Sequence, residues 1–133
     1  MTDGPLVLDA SALVAYARNE PGAQAVATQL RSGRRIVVSA VNWAEAAGKL
    51  REFRVTPAVL RQALAAVDAE IVSFTEDDAD VVADLTPALR LLGLSLGDRA
   101  CLGLSIGLKA VALTADQAWS RLELEGLMVE LIR

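Results

Sequence analysis

The sequence predicts an α/β fold, with a central and mostly parallel sheet of four to five strands flanked by helices. Short segments rich in β-branched and apolar residues alternate with longer stretches of helical period, the pattern of βαβ units. Three of these segments are unbroken apolar runs without polar alternation, as strands covered on both faces require. The 133 residues match one ordinary domain, so residues 1–133 are expected to form a single unit.

The first expected strand is Leu6-Val7-Leu8, and Glu20-Pro21-Gly22 is a turn signal after the helical stretch that follows it. Gly33 stands where the next helix should stop, before the second strand, Ile36-Val37-Val38. A helix then begins near Ser39, and Thr56-Pro57 reads as an N-cap followed by Pro at the first helical position. The third strand is Ile71-Val72-Ser73. Thr75 with Asp78 resembles a capping box. Thr86-Pro87 repeats the cap-and-Pro pattern, so Pro87 is expected to end or kink the helix begun near Glu76 and a new one to start. Gly93 marks a further helix end. Asp98 opens a helix before the fourth strand, Val111-Ala112-Leu113, and Met128-Val129-Glu130-Leu131 supplies the last.

Composition excludes several function classes. Hydrophobic residues make up 53%, charged residues 23% and aromatics 4%, which sets aside disorder and low complexity. No apolar run approaches the roughly 18 residues of a membrane span. The start, Met1-Thr2-Asp3-Gly4-Pro5, lacks a basic segment followed by an apolar one, so a soluble, cytoplasmic protein without membrane association is expected. With one cysteine, Cys101, and no histidine, internal disulfides, thiolate cages and His-based catalysis are all excluded. Thirteen basic against seventeen acidic residues leave a net charge of -4, poor material for binding nucleic acid by charge alone.

Glu76, Asp77, Asp78, Asp80 and Asp84 form a charge run that reads as a solvated helix face. Four other acids stand in apolar surroundings. Asp9 closes the first strand, Glu45 lies within Val41-Asn42-Trp43-Ala44-Glu45-Ala46-Ala47, Asp98 follows Leu94-Ser95-Leu96-Gly97, and Asp116 follows the fourth strand. Right-handed crossovers put the carboxyl ends of parallel strands on one edge, where such sheets bind ligands. All four acids map to that edge. Converging carboxylates repel one another and call for a hard cation, Mg²⁺ or Mn²⁺, which would also contact a phosphodiester in place of a basic surface. Each acid has a plainer role as well: Asp9, Asp98 and Asp116 as helix caps contributing about 1 kcal/mol, Glu45 as a surface partner of Lys49. Ser11, Asn42 and Thr114 are placed to hydrogen-bond the acids or to cap helices. Trp43 and Trp119 read as packing residues. Ala23, Val26, Ala27 and Leu30, or Val59, Leu60 and Ala63, read first as core stripes and second as a partner surface.

The segments Val7-Leu8-Asp9-Ala10-Ser11-Ala12-Leu13, Ser39-Ala40-Val41-Asn42-Trp43-Ala44-Glu45, Leu94-Ser95-Leu96-Gly97-Asp98-Arg99-Ala100-Cys101-Leu102 and Leu113-Thr114-Ala115-Asp116-Gln117-Ala118-Trp119 resemble the PIN-domain family, and within it the VapC-type toxins of toxin-antitoxin modules. The resemblance implies a PIN-like fold and a Mg²⁺- or Mn²⁺-dependent endoribonuclease that inhibits translation. It implies metal-binding catalytic acids at Asp9, Glu45, Asp98 and Asp116, a homodimer, an RNA substrate and a VapB-like antitoxin. Many PIN domains carry a further Asp where this chain has Ala118, so one metal site is expected, built mainly by Asp9, Asp98 and Asp116, with Glu45 a direct ligand or acting through water. Arg31, Arg34, Arg35, Arg51 and Arg54 are candidates for the rim of the crevice. A receiver domain or a haloacid-dehalogenase-like phosphatase would need acids or a lysine that Ala10, Ser73, Ser11 and Lys109 do not supply in place. The alternative from another class is a non-catalytic PIN-like interaction module.

Overall fold

In the computed structural model, which describes residues 4–89 and 92–133, the chain runs β1 (Leu6–Leu8), α1 (Ala10–Ala17), α2 (Ala23–Leu30), β2 (Ile36–Ser39), α3 (Ala40–Glu52), α4 (Pro57–Ala66), β3 (Glu70–Val72), α5 (Glu76–Leu89), α6 (Leu96–Gly107), β4 (Val111–Thr114), a 3₁₀ turn (Gln117–Arg121) and β5 (Met128–Leu131). Met1, Thr2 and Asp3, part of the segment read for a leader, lie outside the described residues. No helix among the described residues is long and apolar enough to cross a membrane.

The five strands form one sheet in the order β3-β2-β1-β4-β5, and every pairing is parallel. The expected sheet is therefore present and wholly, not mostly, parallel. β1 sits at its centre, in register with β2 (Val7 opposite Val37) and with β4 (Val7 opposite Ala112). The chain builds outward through β2 and β3, then returns to the far side of β1 for β4. Strand order thus reverses between β1 and β4, the position at which an open parallel sheet has its crevice.

Alternation along the strands divides the core between the two faces. Leu6, Leu8, Ile36, Val38 and Leu113 pack with α1 to α4, whereas Val7, Val37 and Ala112 pack with Leu89, Cys101, Leu102 and Trp119. Trp119 is accordingly core, as expected. Of the apolar stripes named above, Val26, Leu30 and Leu60 are buried and Val59 is exposed.

Local signals explain most helix starts. Thr56 accepts from the Ala58 amide with Pro57 at the first helical position, and Thr75 and Asp78 close a reciprocal capping box. β3 begins at Glu70 and stops before Ser73, one residue earlier than expected at each end. Thr86-Pro87 is a correction of substance. α5 continues through Pro87 to Leu89, and the Thr86 hydroxyl does not cap a new helix: it donates back to the Val82 carbonyl and accepts from Arg99. Pro87 lies in the final turn, where the preceding helix and the Arg99 contact outweigh the local signal.

Leu102 is fully buried in α6, so Leu102→Ala should destabilise the fold by about 2–5 kcal/mol in urea denaturation. Val59→Ala, at an exposed position, should stay within about 0.5 kcal/mol of the parent.

Candidate active site

Asp9 follows β1 immediately and caps α1, its Oδ1 accepting from the Ala12 amide at 2.9 Å. The carboxylate is 4% exposed. A buried carboxylate needs donors, and two come from hydroxyls: Ser11 Oγ donates to Oδ1 at 2.7 Å and Thr114 Oγ1 to Oδ2 at 2.6 Å. Those hydroxyls in turn accept from the Ala115 and Asp116 amides at 2.9 and 3.0 Å, so the loops after β1 and β4 are tied together through Asp9. Burial nevertheless pushes the Asp9 carboxyl above the ordinary carboxylate range, against these hydrogen bonds and with the Asp98 charge adding to the rise.

Asp98 enters from α6. It completes a capping box with Ser95, accepting from the Ser95 amide at 3.0 Å while the Ser95 hydroxyl accepts from the Asp98 amide at 3.1 Å. Only Oδ2 is used in that cap; Oδ1 has no hydrogen bond among the described residues. Glu45 enters from α3. Its carboxyl is also raised, first by burial, then by the charge of Asp98 and, more weakly, of Asp9, while Asn42 opposes the rise. Asp98 thus acts on both other acids, and the three carboxylates share one electrostatic environment.

Gly97 makes this approach possible. A Cβ on Gly97 would stand 1.7 Å from Glu45 Oε1, and Asn42 Nδ2 donates to the Gly97 carbonyl at 3.0 Å. Glu45 therefore lies across the first turn of α6. The pairing of Glu45 with Lys49 does not form; Lys49 stands 3.7 Å from Glu52 instead. Gly97 and Ser95 were not singled out as site residues from the sequence. Ser95-x-x-Asp98 is a capping-box spacing, and a glycine inside a helix start, where alanine is favoured by about 1 kcal/mol, signals a close approach.

Asp116 is placed differently. It is exposed and caps the 3₁₀ turn through the Ala118 amide, connected to Asp9 only by way of Thr114. Ser11, Asn42 and Thr114 all lie at the crevice, Asn42 as a clamp between α3 and α6 rather than a helix cap; the cap of α3 is Ser39. The arginines divide. Arg34 and Arg35 precede β2, on the opposite edge of the sheet, where Arg35 makes a two-point ion pair with Glu70 and Arg34 donates to the Gly4 carbonyl. They do not border the acids.

Among the described residues, no three acid or sulfur side chains are gathered tightly enough to enclose an ion by themselves. The donor set still fits Mg²⁺ or Mn²⁺ in kind, because the ligands are all oxygen, their charges repel, and Mg²⁺ characteristically keeps several waters and takes only one or two carboxylates directly. Cys101, buried beneath, contributes no nucleophile: burial, then the Asp9 charge, push its thiol well above the ordinary value.

The PIN domain profile matches residues 6–124 of the chain. The chain belongs to the PIN-domain family. Solved structures of similar fold include VapBC2 of Rickettsia felis bound to a promoter DNA fragment, with TM-score 0.69 and 16% identity over 96% of this chain and 98% of that one. DNA-bound VapBC of Salmonella typhimurium gives TM-score 0.67 and 16% identity over 98% and 99% of the two chains. VapBC-5 of Mycobacterium tuberculosis, from a family of toxin-antitoxin systems, gives 0.58 and 18% over 96% and 98%. No curated protein sequence matches significantly. In this PIN domain Asp9 and Asp116 follow β1 and β4, the two strands between which the strand order reverses.

Two outcomes are expected of the acid cluster. Gly97→Ala should fold with equal or higher melting temperature, since only the flexible end of Glu45 must move, yet should displace that carboxylate, so that any rise in melting temperature on adding Mn²⁺ is smaller than in the parent. The pH dependence has a definite sign. Because Asp9 and Glu45 have raised values in the folded state, the native chain binds more protons than the unfolded one above about pH 4. Their contribution to stability is therefore lost as pH rises through the folded values. Asp9→Asn should gain stability relative to the parent as pH rises above about 4 in paired thermal melts.

Proposed function

We propose that this PIN domain, residues 1–133, is a Mg²⁺- or Mn²⁺-dependent endoribonuclease of the VapC type, which cuts RNA in the cytoplasm, inhibits translation and is neutralised by a VapB-like antitoxin. The observation that carries the proposal is the gathering of Asp9, Glu45 and Asp98 from three different elements at the strand-order reversal. Caps alone do not require acids on α1, α3 and α6 to lie near enough to feel one another's charge. A homodimer and an antitoxin partner accord with the toxin-antitoxin complexes of similar fold.

Asp9 and Asp98 would hold the cation, with Asp116 at the edge of the set and Glu45 either bound directly or through water. When bound, the cation supplies positive charge to a phosphodiester and a more acidic water. Ser11 and Thr114 keep Asp9 oriented by donating to both of its oxygens. Glu45 has the longest side chain of these acids and a carboxyl with a raised affinity for protons, which suits it to accept a proton from an attacking water. The absence of histidine leaves protonation of the departing 3′ oxygen to solvent. With Glu45 accepting a proton from the attacking water, the ribose 2′-hydroxyl is not required as the nucleophile, and the products should carry 5′-phosphate and 3′-hydroxyl ends.

The test is cleavage of total cellular RNA by antitoxin-free protein with Mg²⁺ or Mn²⁺, with fragment ends sequenced. Discrete fragments should appear and should vanish with EDTA. Asp98→Asn keeps an acceptor for the Ser95 amide, so its stability should change by less than about 1 kcal/mol while cleavage is lost. Cyclic 2′,3′-phosphate ends would overturn the mechanism, and a folded, cation-loaded chain that cuts nothing would make it an interaction module.

A further inference from the structure

Asp98 and Arg99 are consecutive in the first turn of α6, and both side chains fold back on Ser95. Asp98 accepts from the Ser95 amide at 3.0 Å, while Arg99 Nε donates to the Ser95 carbonyl at 3.3 Å. Arg99 Nη1 also donates to the Thr86 hydroxyl at 2.6 Å, and that hydroxyl is itself fixed by its bond to the Val82 carbonyl. The half-buried guanidinium is therefore held at two points, one on α5 and one at the start of α6. Its Nη2 has no hydrogen bond among the described residues.

Other cations of this chain stand against carboxylates. Arg18 and Arg133 meet Glu20, Lys49 meets Glu52, and Arg35 meets Glu70. Arg99 forms no ion pair among the described residues, although Asp98 is its neighbour in sequence and keeps Oδ1 free of hydrogen bonds. Helix dipoles do not account for the charge, because the last turn of α5, where Thr86 lies, favours a cation and the first turn of α6 disfavours one. Nor do the two hydrogen bonds, since a neutral amide donates to a hydroxyl or a carbonyl equally well. Beside the guanidinium, Thr86, Leu89, Leu94 and Arg99 line a cavity of about 170 Å³, room enough for a phosphate group.

Taking the nuclease reading as given, we infer that Arg99 is a substrate-binding residue whose guanidinium holds the RNA phosphate next to the scissile one. The first turn of α6 then offers complementary groups to successive points of the strand, the free Asp98 oxygen toward the cation and the free Arg99 nitrogen toward a phosphate oxygen. A guanidinium on a phosphate is a strong, charge-assisted contact, and one already tethered loses little freedom on making it. Arg99 supplies beside the acids the positive charge that a chain of net charge -4 lacks over its surface.

The test uses the full Asp98→Asn chain with Mg²⁺, which binds without cutting, and a labelled mixed-sequence single-stranded RNA of about 12 nucleotides, read by fluorescence anisotropy across a KCl series. Arg99→Gln should weaken the Kd about 10-fold. It should also make the slope of log affinity against log salt shallower by about 0.7, the signature of one lost phosphate contact. Arg99→Lys, which keeps the charge, should keep the slope. In the otherwise intact chain, Arg99→Gln should raise KM and leave kcat unchanged. A residue that only clamps α5 to α6 would lower the melting temperature of Arg99→Gln and leave Kd and slope where they were, which overturns the inference. If Arg99→Gln does not fold, arginine-selective dicarbonyl labelling of the Asp98→Asn chain decides: RNA should protect Arg99, and equal labelling with and without RNA overturns the inference. Loss only of inhibition by a co-expressed inhibitor protein would assign Arg99 to a polypeptide carboxylate and overturns it too. A parent that neither binds nor cuts RNA overturns the nuclease reading itself, an outcome distinct from the others.

Discussion

A carboxylate buried at the end of a central strand has to be held by donors, and those that hold Asp9 come from more than one element. Its own helix contributes the Ala12 amide, the turn after β1 contributes Ser11, and β4 contributes Thr114. The two hydroxyls accept from the Ala115 and Asp116 amides, so the β1 and β4 loops share one hydrogen-bonded unit. Burying a charge costs several kcal/mol unless it is paired or well bonded, and here the bonding only partly offsets the cost. The raised carboxyl shows where the deficit remains.

That deficit is deepened by the neighbouring acids. Asp98 and Glu45 add negative charge where burial already disfavours it, and no arginine or lysine pairs with these acids among the described residues. A structure optimised for stability alone would not collect them. Cap roles and site roles coexist because each cap leaves acceptor capacity over: Asp98 uses one oxygen for the Ser95 amide and Asp116 one for the Ala118 amide.

Helix α3 carries Glu45 and Lys49 on one face, with Phe53 in line at its end. Its second turn delivers Glu45 to the acids, and its later turns lead to Phe53. The passage of Glu45 over α6 depends on a missing side chain at Gly97. A glycine within a helix costs stability relative to alanine, so this one is not favoured by the helix itself. Of the cationic residues that sequence placed at the rim, Arg34 and Arg35 serve the far edge of the sheet, while Lys49, read as a partner of Glu45, and Arg18, which the sequence did not single out, flank Phe53.

The strands, their parallel character and the position of each acid at a strand end or helix start were legible in the sequence. Apolar runs such as Leu6-Val7-Leu8 and caps such as Thr56-Pro57 or Thr75-x-x-Asp78 act over a few residues, so their signals are local. The reversal of strand order between β1 and β4, the contact of Asn42 with a carbonyl 55 residues away, and the passage of Glu45 over Gly97 were decided by packing. So was the course of α5 through Pro87, where an Arg99 contact thirteen residues distant overrides a local helix-start pattern. Asp116 shows the limit most clearly. Its place after β4 and its cap on the following turn could be read from the chain, whereas its link to Asp9 through Thr114 depends on the side-by-side placement of β1 and β4, which no local spacing contains.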